Sequence, residues 1–441
     1  MIVVRVELVN ICNDNLSVVI IGAGVFGLST AYHLLERGYT GVTVLDRAEH
    51  LPAVDAASTD MNKVVRSCYG DSEYTRLARQ AIEEWRDDMW QNCYHECGVL
   101  NLGDAYTEQS IVNDLKHGAK VERLGSPASI RAQFPLDLHN SGGLGTFTSL
   151  DVSSRSYINH DGGWAEAERA VSLLMEHVKK RGVKILPGKA VQELVKDERG
   201  QTKGVRCVDG SEYEANVVVL ALGSWTASTF PSLNLKGKCL ATGQSIATIQ
   251  LTPEEAEEYR KTPVVLDFRT GFYVFPPTHR NVVKFAIHAA GHTYAPPGST
   301  ISTPRTIVSD PDKGLCIPRS VLKELRVQLQ AVYPVLAEKP FSGTRMCWYT
   351  DSPDGDWVIG RYPGDSGLVL ATSGSGHAFK FLPILGKLVA DVIENKLDPE
   401  LAARFAVDRQ VKPPNGERMS LVPQELNIDE LCGPEDLIPT L

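Results

Sequence analysis

Between an apolar run, Val18-Val19-Ile20-Ile21, and an amphipathic stretch carrying Leu28, Ala31, Leu34 and Leu35 lies Gly22-Ala23-Gly24-Val25-Phe26-Gly27. The hydrophobic period changes there from that of a strand to that of a helix. Glycines in this spacing allow a tight turn, a close approach of backbone to a pyrophosphate and tight packing of helix on strand, while the helix N-terminus favours the phosphate charge. Gly38 is placed to stop the helix, Val42-Thr43-Val44-Leu45 reads as the next strand, and Asp46 follows it, 24 residues after Gly22. A carboxylate there can accept hydrogen bonds from a ribose diol. The unit is therefore expected to bind a dinucleotide through Gly22, Gly24, Gly27 and Asp46, with the acid favouring FAD or NAD over NADP.

With 441 residues the chain is long enough for two to three domains and a sizeable core. A second α/β stretch begins near Gly162, with Ala170, Val171, Leu174 and Val178 on one helical face and a strand from Val183. It ends in Asn216-Val217-Val218-Val219-Leu220-Ala221-Leu222-Gly223, the signature of a strand buried on both faces. From about 235 to 340 the pattern changes to alternating segments such as 271–275 and 282–288, which read as antiparallel strands. A buried strand at 368–371 and a helix at 379–396 then restore the α/β pattern. The simplest topology is a nucleotide domain split over three segments with a β-rich lobe inserted between them. The Pro-rich, acidic residues after about 408 are expected to wrap the surface.

Lys plus Arg number 45 against 54 Asp plus Glu, a formal net charge of −9 and the wrong sign for a nonspecific nucleic-acid binder. Nine cysteines, an odd number without paired spacing, suit a reducing compartment. Cys93, His95 and Cys97 lack a second ligand pair, so no metal site is expected. No apolar run approaches a membrane span of about 18 residues. The N-terminus does not read as a secretion signal, and the chain ends Ile-Pro-Thr-Leu rather than in a peroxisomal address. These features point to a cytoplasmic protein with no nucleic-acid or membrane partner.

Five further segments carry a resemblance. Ala57-Ser58-Thr59-Asp60-Met61-Asn62-Lys63-Val64-Val65-Arg66 with Tyr69-Gly70, Gly162-Gly163-Trp164-Ala165, Leu222-Gly223-Ser224-Trp225-Thr226, Arg345-Met346-Cys347-Trp348-Tyr349-Thr350 and Ser375-Gly376-His377-Ala378-Phe379-Lys380-Phe381 follow the glycine motif in order. Together they resemble the amine-oxidising flavoproteins: monomeric sarcosine oxidase, pipecolate and saccharopine oxidases, and the fructosyl amino acid oxidases, or amadoriases. The resemblance spans about residues 16 to 405. It implies α/β plus antiparallel β architecture, a Rossmann-like FAD-binding domain (residues 1–98, 151–235 and 341–410) with a β-rich substrate domain (99–150 and 236–340) and a C-terminal surface extension (411–441). It also implies FAD as cofactor, O2 as co-substrate, a small amino-acid-like substrate and a monomer.

The resemblance assigns residues as well. Cys347 stands where the family joins a thioether to the flavin 8α-methyl, a tether that tunes redox potential. Lys284, mid-strand among apolar neighbours, matches the oxygen-activating lysine; a cation there stabilises the negative charge that develops as O2 is reduced. His288 shares its strand face and is placed to touch the substrate amine. Arg66 and Lys380 match the two cations that hold a substrate carboxylate, for which the arginine fork is well suited. Tyr273 is a candidate pocket residue. Phe26, Arg47, Ser58, Lys63, Val191, Gly223, Trp225, Ser375, Gly376, His377, Phe379 and Lys380 are assigned to the cofactor's surroundings. Trp348-Tyr349-Thr350-Asp351 and Phe275-Pro276-Pro277-Thr278 read like the pipecolate, saccharopine and sarcosine branch rather than the amadoriases, and Ser373 and Ala378 replace usual glycines.

The implied activity is oxidation of the C–N bond of a carboxylate-bearing secondary amine to an imine, with O2 reduced to H2O2. Alternatives are an amadoriase, a fungal-type biosynthetic oxidase whose imine cyclises, a nicotinamide dehydrogenase, and a non-enzymatic flavin-binding redox protein. The last two have no use for Cys347, Lys284, Arg66 and Lys380 together.

Overall fold

The computed structural model describes residues 16–147, 155–413 and 422–439; Cys12, the rest of residues 1–15 and part of the C-terminal extension lie outside them. Val18–Ile21 forms the centre of a six-stranded sheet, flanked in parallel register by Val42–Leu45 and Val217–Leu220. Lys184–Leu186 and Asp365–Thr372 extend it in parallel, and Val358–Tyr362 closes one edge antiparallel. Successive side chains of a strand point to opposite faces. Val18, Ile20, Val44 and Val219 accordingly pack under helices on one face, while Val19, Ile21, Val218 and Leu220 pack on the other beneath the antiparallel strands Val191–Lys196 and Thr202–Cys207. Both faces are covered, which is why these strands read as unbroken apolar runs.

The helix Val25–Glu36 starts where the motif predicts. Gly22 has φ +109°, and a Cβ there would stand 2.4 Å from the Ala221 carbonyl oxygen; at Gly27 it would stand 1.9 Å from the Gly22 carbonyl oxygen. Neither position accepts a side chain. The segment expected as one helix from Phe379 is a short 3-10 turn, Phe379–Phe381, followed by the helix Leu382–Ile393.

A larger sheet holds the alternating segments. Leu240–Gln250 pairs antiparallel with Val282–Ile287 on one side and Gly343–Asp351 on the other, and Phe272–Val274 and Val264–Asp267 continue outward. Tyr157–Asn159 and Gly343–Asp351 join this sheet rather than the parallel one, although the sequence places both in nucleotide-binding segments. Backbone pairing with Val99–Leu102 and Leu240–Gln250 decides their place, and no local pattern encodes a partner so distant. The described part of the C-terminal extension is also more than a surface wrap. Gln424–Glu425 pairs with His292–Thr293 at the sheet edge, and Leu426, Leu431 and Cys432 are buried against the large sheet's core.

In the large sheet Val283 and Phe285 face that core, so alternation turns Lys284 and Ala286 to the opposite face, together with Cys347 and Tyr349. That face looks toward the glycine motif. Among the described residues no helix is long and apolar enough to cross a membrane, and no group of three His, Cys, Asp or Glu residues could hold a metal. His95 instead hydrogen-bonds Glu166 and stacks on Trp164.

Candidate active site

Two cavities meet between the sheets. The larger, about 310 Å³, runs along the C-terminal ends of the parallel strands. Gly22, Gly24 and Phe26 line it at the helix start, and that helix has neither a capping side chain nor an acid in its first turn. Its unpaired N–H groups and positive dipole end therefore stand ready for an anion. Asp46 lines the same cavity, its carboxylate accepting from the N–H groups of Ala23 at 2.8 Å and Ala48 at 2.9 Å. Each oxygen keeps a further acceptor position for a ribose hydroxyl. Arg47 lies over the Trp225 ring, 4.1 Å from its centroid, and pairs with Asp55. Ser58, Lys63, Val191, Gly223, Ser375, Gly376 and Phe379 complete the wall.

The loop that closes this cavity is conformationally unusual. Ser373 and Ser375 have φ of +54° and +47°, the left-handed region that favours glycine. Ser373 Oγ donates to the Lys238 carbonyl at 2.8 Å and Ser375 N–H to Thr350 at 2.9 Å, so hydrogen bonds hold a backbone where the sequence shows serine in place of a usual glycine.

The smaller cavity, about 70 Å³, shares Lys63, Tyr349, Gly376 and Phe379 with the larger one. Arg66, Tyr273, Lys284, His288, His377 and Lys380 line it, so every residue assigned to catalysis faces one space. Its apolar wall is Leu266, Phe268 and Phe275. Cys347 is buried and lines neither of these two cavities; it lies one strand step below Tyr349, beside Ile246 and Ala286. Gly27 serves packing only.

The charge of Lys284 is countered by Asp60, a residue outside the set assigned from the sequence. Lys284, 1% exposed, donates to Asp60 Oδ2 at 2.6 Å and to the Asn62 carbonyl at 2.7 Å. Lys63 also donates to Asp60 Oδ2. Burial pushes the Lys284 ammonium down to about 8, with Asp60 opposing that effect and Lys63 adding to it. Burial likewise disfavours the Asp60 carboxylate, but Lys284, Lys63 and Arg345 outweigh it and hold the group well below the usual carboxylate range. A buried ammonium demands a counter-charge. Asp60 sits in the 57–66 motif, so that rule was the one signal available, without naming which acid.

Arg66 and Lys380 approach the cavity from separate segments. The Lys380 ammonium donates to Tyr69 Oη and to the His377 carbonyl, both at 2.8 Å. The Arg66 guanidinium donates to the Cys68 carbonyl and lies 4.6 Å from the Tyr69 ring centroid. Two buried cations thus flank one cavity.

A family model described as FAD dependent oxidoreductase matches residues 17–392. The chain belongs to that family. It is 31% identical over 408 residues to L-saccharopine oxidase of Schizosaccharomyces pombe, covering 87% of this chain and 91% of that protein. N-methyl-L-tryptophan oxidase of Shigella boydii is 25% identical over 405 residues, covering 88% and 98%. Among solved structures, the fructosyl amine oxidoreductase Amadoriase I of Aspergillus fumigatus superimposes with a TM-score of 0.79 at 25% identity, covering 95% of this chain and 97% of that one. The cradle fits the flavin dinucleotide this family uses: the Gly22 turn, which admits no side chain, an uncapped helix start and the Asp46 carboxylate line one cavity.

Proposed function

We propose that this flavoprotein oxidises the C–N bond of a secondary amine that carries a carboxylate, an N-substituted or cyclic amino acid. The observation that carries the reading is the smaller cavity, where Arg66, Lys380 and Lys284 meet against the wall shared with the cofactor cavity. FAD, which Gly22, Gly24 and Asp46 would hold, would supply the two-electron chemistry that links amine oxidation to the reduction of O2 to H2O2. The chain's residues do the rest. Arg66 and Lys380 bind the carboxylate and set which carbon is presented. Phe268, Phe275 and Phe379 exclude water, which strengthens each charge interaction. His288 can take the amine proton, since only the neutral amine releases its electrons. Lys284, held by Asp60, supplies a preorganised positive charge where oxygen is reduced.

The named relatives act on saccharopine and on N-methyl-tryptophan, both secondary amines bearing carboxylates, and this supports the substrate class. Phe275 contributes an apolar face to the wall of this cavity. The proposal includes a thioether between Cys347 Sγ and the flavin 8α-methyl, a division into nucleotide and substrate domains near the boundaries given above, a monomeric state and a cytoplasmic location.

The test is H2O2 release across N-methyl, cyclic and N-glycated amino acids, each with its carboxamide. Acids are expected to exceed amides by several kcal/mol in kcat/KM, roughly the worth of two charge-assisted hydrogen bonds. Arg66→Ala should weaken the acid and leave the amide nearly unchanged. Equal turnover of acid and amide by the unaltered enzyme overturns the carboxylate assignment; no flavin reduction by any amine overturns the reaction class.

A further inference from the structure

Tyr69 is fully buried and lines neither of the two cavities, yet it touches both cations assigned to the substrate carboxylate. Its ring lies against the Arg66 guanidinium at 4.6 Å, and its oxygen accepts from Lys380 Nζ at 2.8 Å.

The direction of the phenol proton follows from His377. His377 Nε2 faces the Gly355 carbonyl oxygen at 3.0 Å. A carbonyl only accepts, so Nε2 carries hydrogen and, in the neutral ring, Nδ1 is left as an acceptor. Nδ1 lies 3.1 Å from Tyr69 Oη, which makes the phenol the donor in that pair. With its proton turned to His377, the phenol oxygen presents lone pairs to Lys380. Donation to His377 also strengthens that oxygen as an acceptor.

The ring itself has little freedom. It stacks on Tyr74 with centroids 5.3 Å apart, and its backbone carbonyl accepts from Asn113 Nδ2 at 3.0 Å and Thr75 Oγ1 at 3.3 Å. Two residues earlier, Ser67 Oγ donates to the buried Asp114 at 2.6 Å, anchoring the same segment next to Arg66. Asp114 accepts again from Tyr157 and Asn159, both at 3.0 Å. A lysine side chain has four rotatable bonds and loses much freedom when it is ordered. Fixing its ammonium before substrate arrives removes that loss from the binding step.

We propose that Tyr69 is a positioning residue for substrate binding, setting the spacing of Arg66 and Lys380 to fit a single carboxylate, with His377 orienting its hydroxyl. The inference rests on the reading in which those cations hold the substrate carboxylate.

Tyr69→Phe keeps the ring under Arg66 and the stack on Tyr74 but removes the oxygen. In the FAD-loaded protein, propionate and propionamide are titrated while flavin absorption is followed, and KM and kcat are measured with the preferred amino acid. The expected result is that Tyr69→Phe weakens propionate by about tenfold or more, the scale of one hydrogen bond to a charged group, and leaves propionamide unchanged. KM should rise by a similar factor with kcat within about twofold. In a Lys380→Met background the same change should add less than about twofold, because the hydroxyl acts through Lys380. Unchanged propionate binding in Tyr69→Phe, or a full tenfold effect without Lys380, overturns the inference. Unaltered enzyme that binds acid and amide alike overturns the carboxylate reading beneath it instead. If Tyr69→Phe does not accumulate as folded flavoprotein, 3-fluorotyrosine at position 69 keeps the shape and weakens the oxygen as an acceptor; severalfold weaker propionate binding supports the role, and unchanged binding overturns it.

Discussion

Asp60→Asn removes the counter-charge from Lys284 while keeping the shape of the side chain and one acceptor oxygen. The ammonium it leaves is 1% exposed and retains the Asn62 carbonyl at 2.7 Å. Removing one partner of a buried ion pair costs about 3–5 kcal/mol, and the retained acceptors put this case near the lower end, about 3 kcal/mol. Burial already depresses Lys284 from 10.5 to about 8 with Asp60 present. At about 1.4 kcal/mol per pH unit that is about 3 kcal/mol against the charged form, so losing Asp60 drives it lower still. The sign of the pH dependence follows. Between the folded and unfolded values of Lys284 the unfolded chain binds the extra proton, so stability rises with pH. In the variant that rise begins at lower pH than in the parent, and the stability gap narrows as pH approaches about 8. Urea unfolding of the apoprotein at several pH values between about 5 and 9 measures both quantities. Equal midpoints at neutral pH, or a gap that does not narrow, would falsify the account of Lys284 as a buried cation held by Asp60.

Lys284→Met should slow flavin reoxidation by about 10²–10³-fold while anaerobic reduction by substrate changes far less, as stopped-flow traces separate the two. In the parent enzyme the same step should slow as pH rises through about 8, because the ammonium is then lost. Acid-denatured protein should stay yellow and carry the mass of one FAD, and Cys347→Ser should release the colour; colourless denatured parent rules out the tether. Gly22→Ala places a methyl 2.4 Å from the Ala221 carbonyl oxygen, so flavin content after purification should fall sharply; full occupancy contradicts the role given to this turn.

Much of this protein was legible one residue after another. The strand Val18–Ile21, the helix from Val25 and the strand Val42–Leu45 sit where the change of period and the glycines place them, because each depends on neighbours within a few positions. Arg66, Lys284, His288 and Lys380, which the resemblance assigns to one site, line one cavity. Tertiary structure alone decided three matters. Gly343–Asp351 and Tyr157–Asn159 belong to the large sheet because strand pairing is chosen between distant segments, which no local pattern records. Asp60 is the partner of Lys284 across 224 residues because burial demands a counter-charge without specifying where in the chain it comes from. Lys380, a helix-start cation in the sequence, meets Tyr69 across 311 residues, because a side chain's partners are set by the packing of whole elements and not by its own neighbours.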